Sequence, residues 1–114
     1  MKSIIKKIIS TILEVESRII VKKYKPFVIT ITGSVGKTST KDAIYTVLSA
    51  GAPAGTVRRS EKSFNSELGV PLTILGCENP WGSFIGWIEV ISHGIELVLF
   101  KSEYPSTLIL EVGA

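Results

Sequence analysis

The sequence has almost none of the residues that build disulfides or metal clusters. Its 114 residues include one cysteine, Cys77, and one histidine, His93. A single thiol excludes an intramolecular disulfide and a cysteine metal cluster, and a lone imidazole cannot build a histidine metal site by itself. The simple reading is a reducing, cytoplasmic setting. Charge is sparse, at 20% of residues against 45% hydrophobic, which excludes a disordered chain. A long uncharged apolar run is also lacking. Lys6 and Lys7 interrupt the first apolar segment early and no small-residue cleavage site follows it, which argues against a signal peptide. The second, residues 81–100, carries Glu89, His93 and Glu96, too much polarity for a spanning helix. Basic charge is scarce outside the first 25 residues. These hold seven cations against Glu14 and Glu16, whereas the remainder holds six cations against eight acids. The net charge of +3 therefore belongs to one segment, and no nucleic-acid partner is expected.

What the chain does have is the stretch VITITGSVGKTST, residues 28–40. The β-branched run Phe27–Thr32 has the composition of a fully buried strand. Gly33-Ser34-Val35-Gly36-Lys37-Thr38 turns sharply, and a helix is predicted from Lys37 to Ala50, with Ala43, Ile44, Val47 and Leu48 as its buried face. A strand, a glycine-bearing turn and a helix N-terminus together make a phosphate site. Backbone amides and the positive helix end face the anion, Lys37 adds a full charge, and the Thr38 hydroxyl suits Mg²⁺. The longer pattern G-x-x-x-x-G-K-[ST] needs its first glycine where this chain has Ile31, so the loop is of the shorter T-G-x-x-G-K-T type.

Residues 3–23 carry apolar pairs at 4/5, 8/9, 12/13 and 19/20, the spacing of a helix, with lysines between them. A basic amphipathic helix of this kind suits an anionic membrane surface. The preferred alternative packs the isoleucine stripe on the domain or a neighbour and leaves the lysines solvated. Gly51 and Pro53 stop the second helix, and Gly55–Arg58 is a weakly signalled strand. A helix is expected to begin near Val70, with Pro71 in its first turn. Glu78-Asn79-Pro80 reads as a turn, and Trp81–Phe100 as a long, largely buried helix. On it Glu89, His93 and Glu96 share one face, His93 as a solvated residue without a catalytic role. Thr107–Val112 is a second buried strand. Glu111 interrupts it at the carboxyl end, where ligands of open parallel sheets sit, and so beside the phosphate loop as a metal ligand.

Three segments, TGSVGKTSTK at 32–41, FNSELGVPLTIL at 64–75 and LILEVGA at 108–114, resemble the central ATP-binding domain of the Mur ligases. These are cytoplasmic amide-bond ligases of peptidoglycan precursor synthesis. The combination of N-S-E-L-G-V-P-L-T with E-V-G-A is most like the branch that adds D-alanyl-D-alanine. The resemblance implies an α/β fold, a P-loop NTPase-like parallel sheet flanked by helices, incomplete here and preceded by an N-terminal amphipathic helix in residues 1–25. It covers about residues 26–114 and implies ATP and Mg²⁺ as cofactors. It also implies a UDP-sugar-peptide substrate whose carboxylate attacks the γ-phosphate, giving an acyl phosphate from which an incoming amine then displaces phosphate. By the same resemblance Lys37 is catalytic, stabilising the transferred phosphoryl group. Gly33, Ser34, Val35, Gly36, Lys37, Thr38 and Ser39 form the cradle, Thr38 and Glu111 hold the metal, and Asn65, Ser66 and Glu67 lie near the acceptor substrate. Ser60, Ser63 and Ser66 stand where the family pattern is richer in Thr and Asn. The family's uridine-sugar domain and its later segments have no counterpart here. The chain is therefore expected to be the N-terminal piece of a longer ligase that works with further domains or a partner chain. The alternatives are a stand-alone nucleotide-binding module, or a peripheral membrane protein at the inner face that docks through residues 3–23 and 81–100.

Overall fold

The structure is a computed structural model that describes residues 3–33, 36–60 and 68–112. Its elements follow the chain as α1 (Ser3–Tyr24), β1 (Phe27–Ile31), α2 (Lys37–Ser49), β2 (Val57–Arg59), α3 (Gly69–Leu75), α4 (Phe84–Leu99) and β3 (Thr107–Glu111). The three strands form a parallel sheet in the order β1-β3-β2, with Ile31 opposite Glu111 and Arg59 opposite Ile109. Parallel strands need crossover connections. Here α2 lies between β1 and β2, and α3 and α4 lie between β2 and β3, which makes an α/β fold.

Side chains alternate across a strand, and β3 uses both directions. Leu108 and Leu110 join Leu72 and Leu75 of α3, Leu13 and Ile20 of α1, and Trp87 and Leu97 of α4 in the main core. Glu111, in the opposite phase to Leu110, meets α2 instead. Fully burying each such Leu or Ile is worth roughly 1.5–3 kcal/mol, so the α1–α3–α4 side of the sheet holds most of the fold together. Two basic side chains close helix ends on that side. The Lys23 ammonium donates to Leu97 O at 2.7 Å, Val98 O at 3.1 Å and Phe100 O at 2.6 Å, capping α4. The Arg58 guanidinium donates to Thr73 O and Ile74 O, both at 3.0 Å, and lies where a side chain at Gly76 would stand. Gly76 ends α3 in a left-handed conformation with φ +78°, which favours glycine.

Several faces differ from the sequence reading. β1 ends at Ile31, and only Ile31 is buried along it, since Phe27 and Val28 face solvent at the sheet edge. The helix after the glycine-bearing turn does not bury Ala43, Val47 and Leu48. Val47 is 73% exposed, and the residue α2 does bury is Lys41, because the helix meets the sheet along Thr38, Lys41, Ile44 and Tyr45. The long apolar segment is not a largely buried helix either. It is helical over Phe84–Leu99 and buries one stripe, Trp87, Val90, Gly94 and Leu97, because α4 lies in an outer layer. Ile9, Leu13 and Ile20 of α1 pack on the domain as expected, yet Ile4, Ile8, Ile12, Val15 and Ile19 remain exposed. β2 begins at Val57, two residues later than read, and α3 begins at Gly69 with Pro71 in its first turn. His93 is exposed, with Glu89 and Glu96 beside it.

Candidate functional site

β1 delivers the chain at the carboxyl edge of the sheet, and Gly33 and Gly36 turn it into α2. Gly36 is the N-cap of α2 with φ +81°, a left-handed conformation in which a side chain is strained. Gly36 has no side chain with which to cap this end, and the first turn contains no acid. The first amides of a helix have no partner within it, so this N-terminus presents donors and the positive end of the helix dipole.

Glu111 reaches this point from β3. Its Oε1 accepts from the Thr38 hydroxyl at a long 3.5 Å, and its Oε2 pairs with the Lys41 ammonium at 3.2 Å. Lys41 is 1% exposed and Glu111 7%. The Lys37 ammonium lies one residue further along the strand exit, 3.4 Å from the Val112 carbonyl oxygen. Ser60 holds Glu111 from the other side: its hydroxyl accepts from the Glu111 amide at 3.0 Å, and its own amide donates to Ile109 O at 2.9 Å. The carboxylate is thereby fixed by strand pairing, by Ser60 and by Lys41.

Of the residues predicted for the site, Gly33, Gly36, Lys37, Thr38 and Ser39 lie at the junction of loop and helix, and Thr38 meets Glu111. Ser34, Val35, Asn65, Ser66 and Glu67 lie outside the described residues. Sequence reasoning missed Lys41 and the role of Ser60. Lys41 carried a signal, since it stands three residues after Thr38 and four after Lys37, the spacing of one helix face. Ser60 carried none, because its buried hydroxyl acts on a strand that follows fifty residues later.

Thr38 and Glu111 supply hard oxygen donors, and Mg²⁺ is usually held by one or two such protein groups plus phosphate and water. Their 3.5 Å separation is near the roughly 3 Å that adjacent oxygens of an octahedral Mg²⁺ require, so the pair fits the ion. Lys41 already neutralises Glu111, which suits a metal arriving with a polyanion better than a bare cation. Among the described residues no cluster of three or more His, Cys, Asp or Glu could hold a metal. A concavity of about 550 Å³ between residues 54–58 and 103–106 lies at the opposite end of the strands.

The profile of the Mur ligase middle domain matches residues 31–107 of this chain. The chain belongs to the Mur ligase family. It is 41% identical over 87 residues to the UDP-N-acetylmuramoyl-tripeptide–D-alanyl-D-alanine ligases of Mycobacterium bovis and Mycobacterium tuberculosis. That similarity covers 75% of this chain and 16% of each relative. The ligase of the same name from Synechocystis is 48% identical over 48 residues, 42% of this chain and 10% of the relative. The chain thus spans about a sixth of the length of the mycobacterial ligases it matches. No solved structure matches it at a significant level. The Mur ligase profile ends at Thr107, so Glu111 rests on its geometry beside Thr38 rather than on that match.

Proposed function

We propose that residues 26–114 are the ATP- and Mg²⁺-binding part of an amide-bond-forming ligase of peptidoglycan precursor synthesis. A basic amphipathic segment, residues 1–25, precedes this part, which has a P-loop NTPase-like arrangement and works in the cytoplasm. The observation that carries the reading is the meeting of Lys37, Thr38 and Glu111 at the uncapped N-terminus of α2, in a chain of Mur ligase descent.

In this reading Gly33, Ser34, Val35, Gly36 and Ser39 shape the phosphate cradle, their amides directed at anionic oxygens. Lys37 stabilises charge on the phosphoryl group as it passes to a substrate carboxylate, and Thr38 and Glu111 hold Mg²⁺. The metal, when bound, offsets the charge of the phosphates. The carboxylate acceptor is a UDP-sugar-peptide. An incoming amine then displaces phosphate from its acyl phosphate to form the amide, with Asn65, Ser66 and Glu67 near the acceptor. The names of the mycobacterial and Synechocystis relatives support this substrate class. Lys41 acts through Glu111 as a positioning residue.

Titration of the purified chain with ATP, with and without Mg²⁺ and with circular dichroism on the same sample, tests the reading. Mg²⁺-dependent ATP binding by a folded chain is expected. Lys37→Ala should weaken it at least tenfold, while Glu111→Gln should remove most of the Mg²⁺ dependence and leave metal-free nucleotide affinity nearly unchanged. A folded Lys37→Ala chain that binds Mg-ATP as tightly as wild type overturns the proposal.

A further inference from the structure

α1 and α4 lie side by side and run in the same direction. Glu16 of α1 abuts Gly94 of α4, and one to two turns later Lys23 and Tyr24 of α1 bond to the carbonyls of Leu97 and Phe100. At 3.6 residues per turn, Ile4, Ile8, Ile12, Val15 and Ile19 form one stripe on α1, beside the buried stripe of Ile9, Leu13 and Ile20 rather than opposite it. On α4, Phe84, Ile88, Ile95 and Leu99 form a matching stripe beside buried Trp87, Val90 and Gly94. Because the helices are parallel and bury the flanks that face the sheet, both exposed stripes border the α1–α4 seam on its outer side. Together they make one apolar platform of two helices, and its residues are 36–67% exposed. A contiguous apolar surface of this extent marks an interaction site.

Charge identifies the occupant. Lys7 and Lys22 lie along the outer border of the α1 stripe, and neither has an ion-pair partner among the described residues, nor does Lys6. Arg18 pairs with Glu14, Lys23 with the α4 carbonyls, Lys41 with Glu111 and Arg59 with Asp42, whereas Lys25 and Lys101, just past the C-terminal ends of α1 and α4, also lack an ion-pair partner among the described residues. The acidic flank of α4, Glu89 and Glu96 with His93, projects to the side of the platform and not across it. Trp81 stands 65% exposed just ahead of α4, an aromatic of the kind that settles at headgroup depth. No described helix is long and apolar enough to cross a membrane, so the geometry is that of helices lying in an interface.

We propose that the paired outer faces of α1 and α4 dock this protein on an anionic lipid surface, with the apolar platform in the headgroup boundary and Lys7 and Lys22 against the lipid phosphates. α2 and the phosphate-loop junction lie across the sheet from the platform, so docking leaves them accessible. The proposal does not depend on nucleotide binding.

Co-sedimentation of the full chain with phosphatidylglycerol-containing vesicles and with pure phosphatidylcholine vesicles tests it, alongside Trp fluorescence and light scattering of the protein alone. Strong partition into the anionic vesicles, weakened by salt, is expected. Each lysine near such a surface contributes about a fivefold change in partition. Lys7→Gln/Lys22→Gln should therefore lose about twenty-five-fold, and Ile8→Asp/Ile88→Asp nearly all binding, while circular dichroism stays native because these four positions are exposed. Equal binding to both vesicle types, or binding unaffected by the lysine pair, overturns the proposal. Absence of binding by the folded chain does so too. A self-associating chain that ignores vesicles and becomes monomeric as Ile8→Asp/Ile88→Asp assigns the platform to a second copy instead.

Discussion

Lys41 and Glu111 form a buried ion pair, and such pairs respond asymmetrically to mutation. Removing one partner leaves an uncompensated charge and costs about 3–5 kcal/mol, whereas replacing both by apolar groups is often nearly neutral. Lys41→Met and Glu111→Leu should each lower stability by about 3 kcal/mol, and the double variant should recover most of that loss, as measured by urea unfolding in a double-mutant cycle. Glu16 is a different case. Its carboxylate is buried between α1 and α4 with neither oxygen hydrogen-bonded, and desolvation pushes its pKa up from 4.5 to about 7. A raised acid is bound to its proton more tightly in the folded state, so its stability contribution is full below pH 4.5 and is lost as pH rises toward 7. The loss is about 3 kcal/mol at most. Unfolding midpoints compared at pH 5 and pH 8 should fall in the wild type, and Glu16→Gln should remove most of that fall.

At the scale of elements, periodicity revealed where helices form better than which face each would bury. α1 is apolar around more than half its circumference, so the 4/5, 8/9, 12/13 spacing announces a helix but does not choose between Ile8 and Ile9. Only Ile9 meets the core. α2 misled in the opposite direction. Its apolar Val47 and Leu48 face out, while a lysine faces in because its partner carboxylate, seventy residues later, awaits it on β3. No local pattern announces such a pair. The place of Glu111 beside Thr38 was legible because it broke an otherwise apolar strand at the carboxyl end of the sheet. The two adjacent lysines ending α1 divide in the same way. Lys23 donates to three carbonyls at the C-terminus of α4, and Lys22 to none among the described residues. Lys23→Ala should cost about 1.5–3 kcal/mol, the worth of hydrogen bonds from a charged group, and Lys22→Ala less than about 0.5 kcal/mol. Thermal unfolding of the two variants separates a helix-capping lysine from a solvated one.

Across the whole molecule, the strong packing and the proposed chemistry lie on opposite sides of the sheet. The α1–α3–α4 side holds the main hydrophobic cluster, whereas α2 is joined to the sheet through Lys41, Thr38 and the Arg59–Asp42 pair, with Arg59 also over the Tyr45 ring. A helix held by polar contacts is more easily displaced than one held by a core, and its N-terminus is the end at which phosphate binding is proposed. Ligand binding at that junction should therefore stabilise the chain out of proportion to the few residues it touches. A ligand at one hundred times its Kd adds about 2.7 kcal/mol, and at about 4 °C per kcal/mol for a domain of this size the midpoint should rise by roughly 10 °C. Mg²⁺ alone should shift the melting midpoint little, because Lys41 already balances the Glu111 carboxylate. ATP alone should give part of the rise, through the α2 amides and Lys37, and ATP with Mg²⁺ the whole. The same rise produced by Mg²⁺ without nucleotide would mean that Glu111 holds the ion independently of the phosphates, and that Lys41 gives way to it.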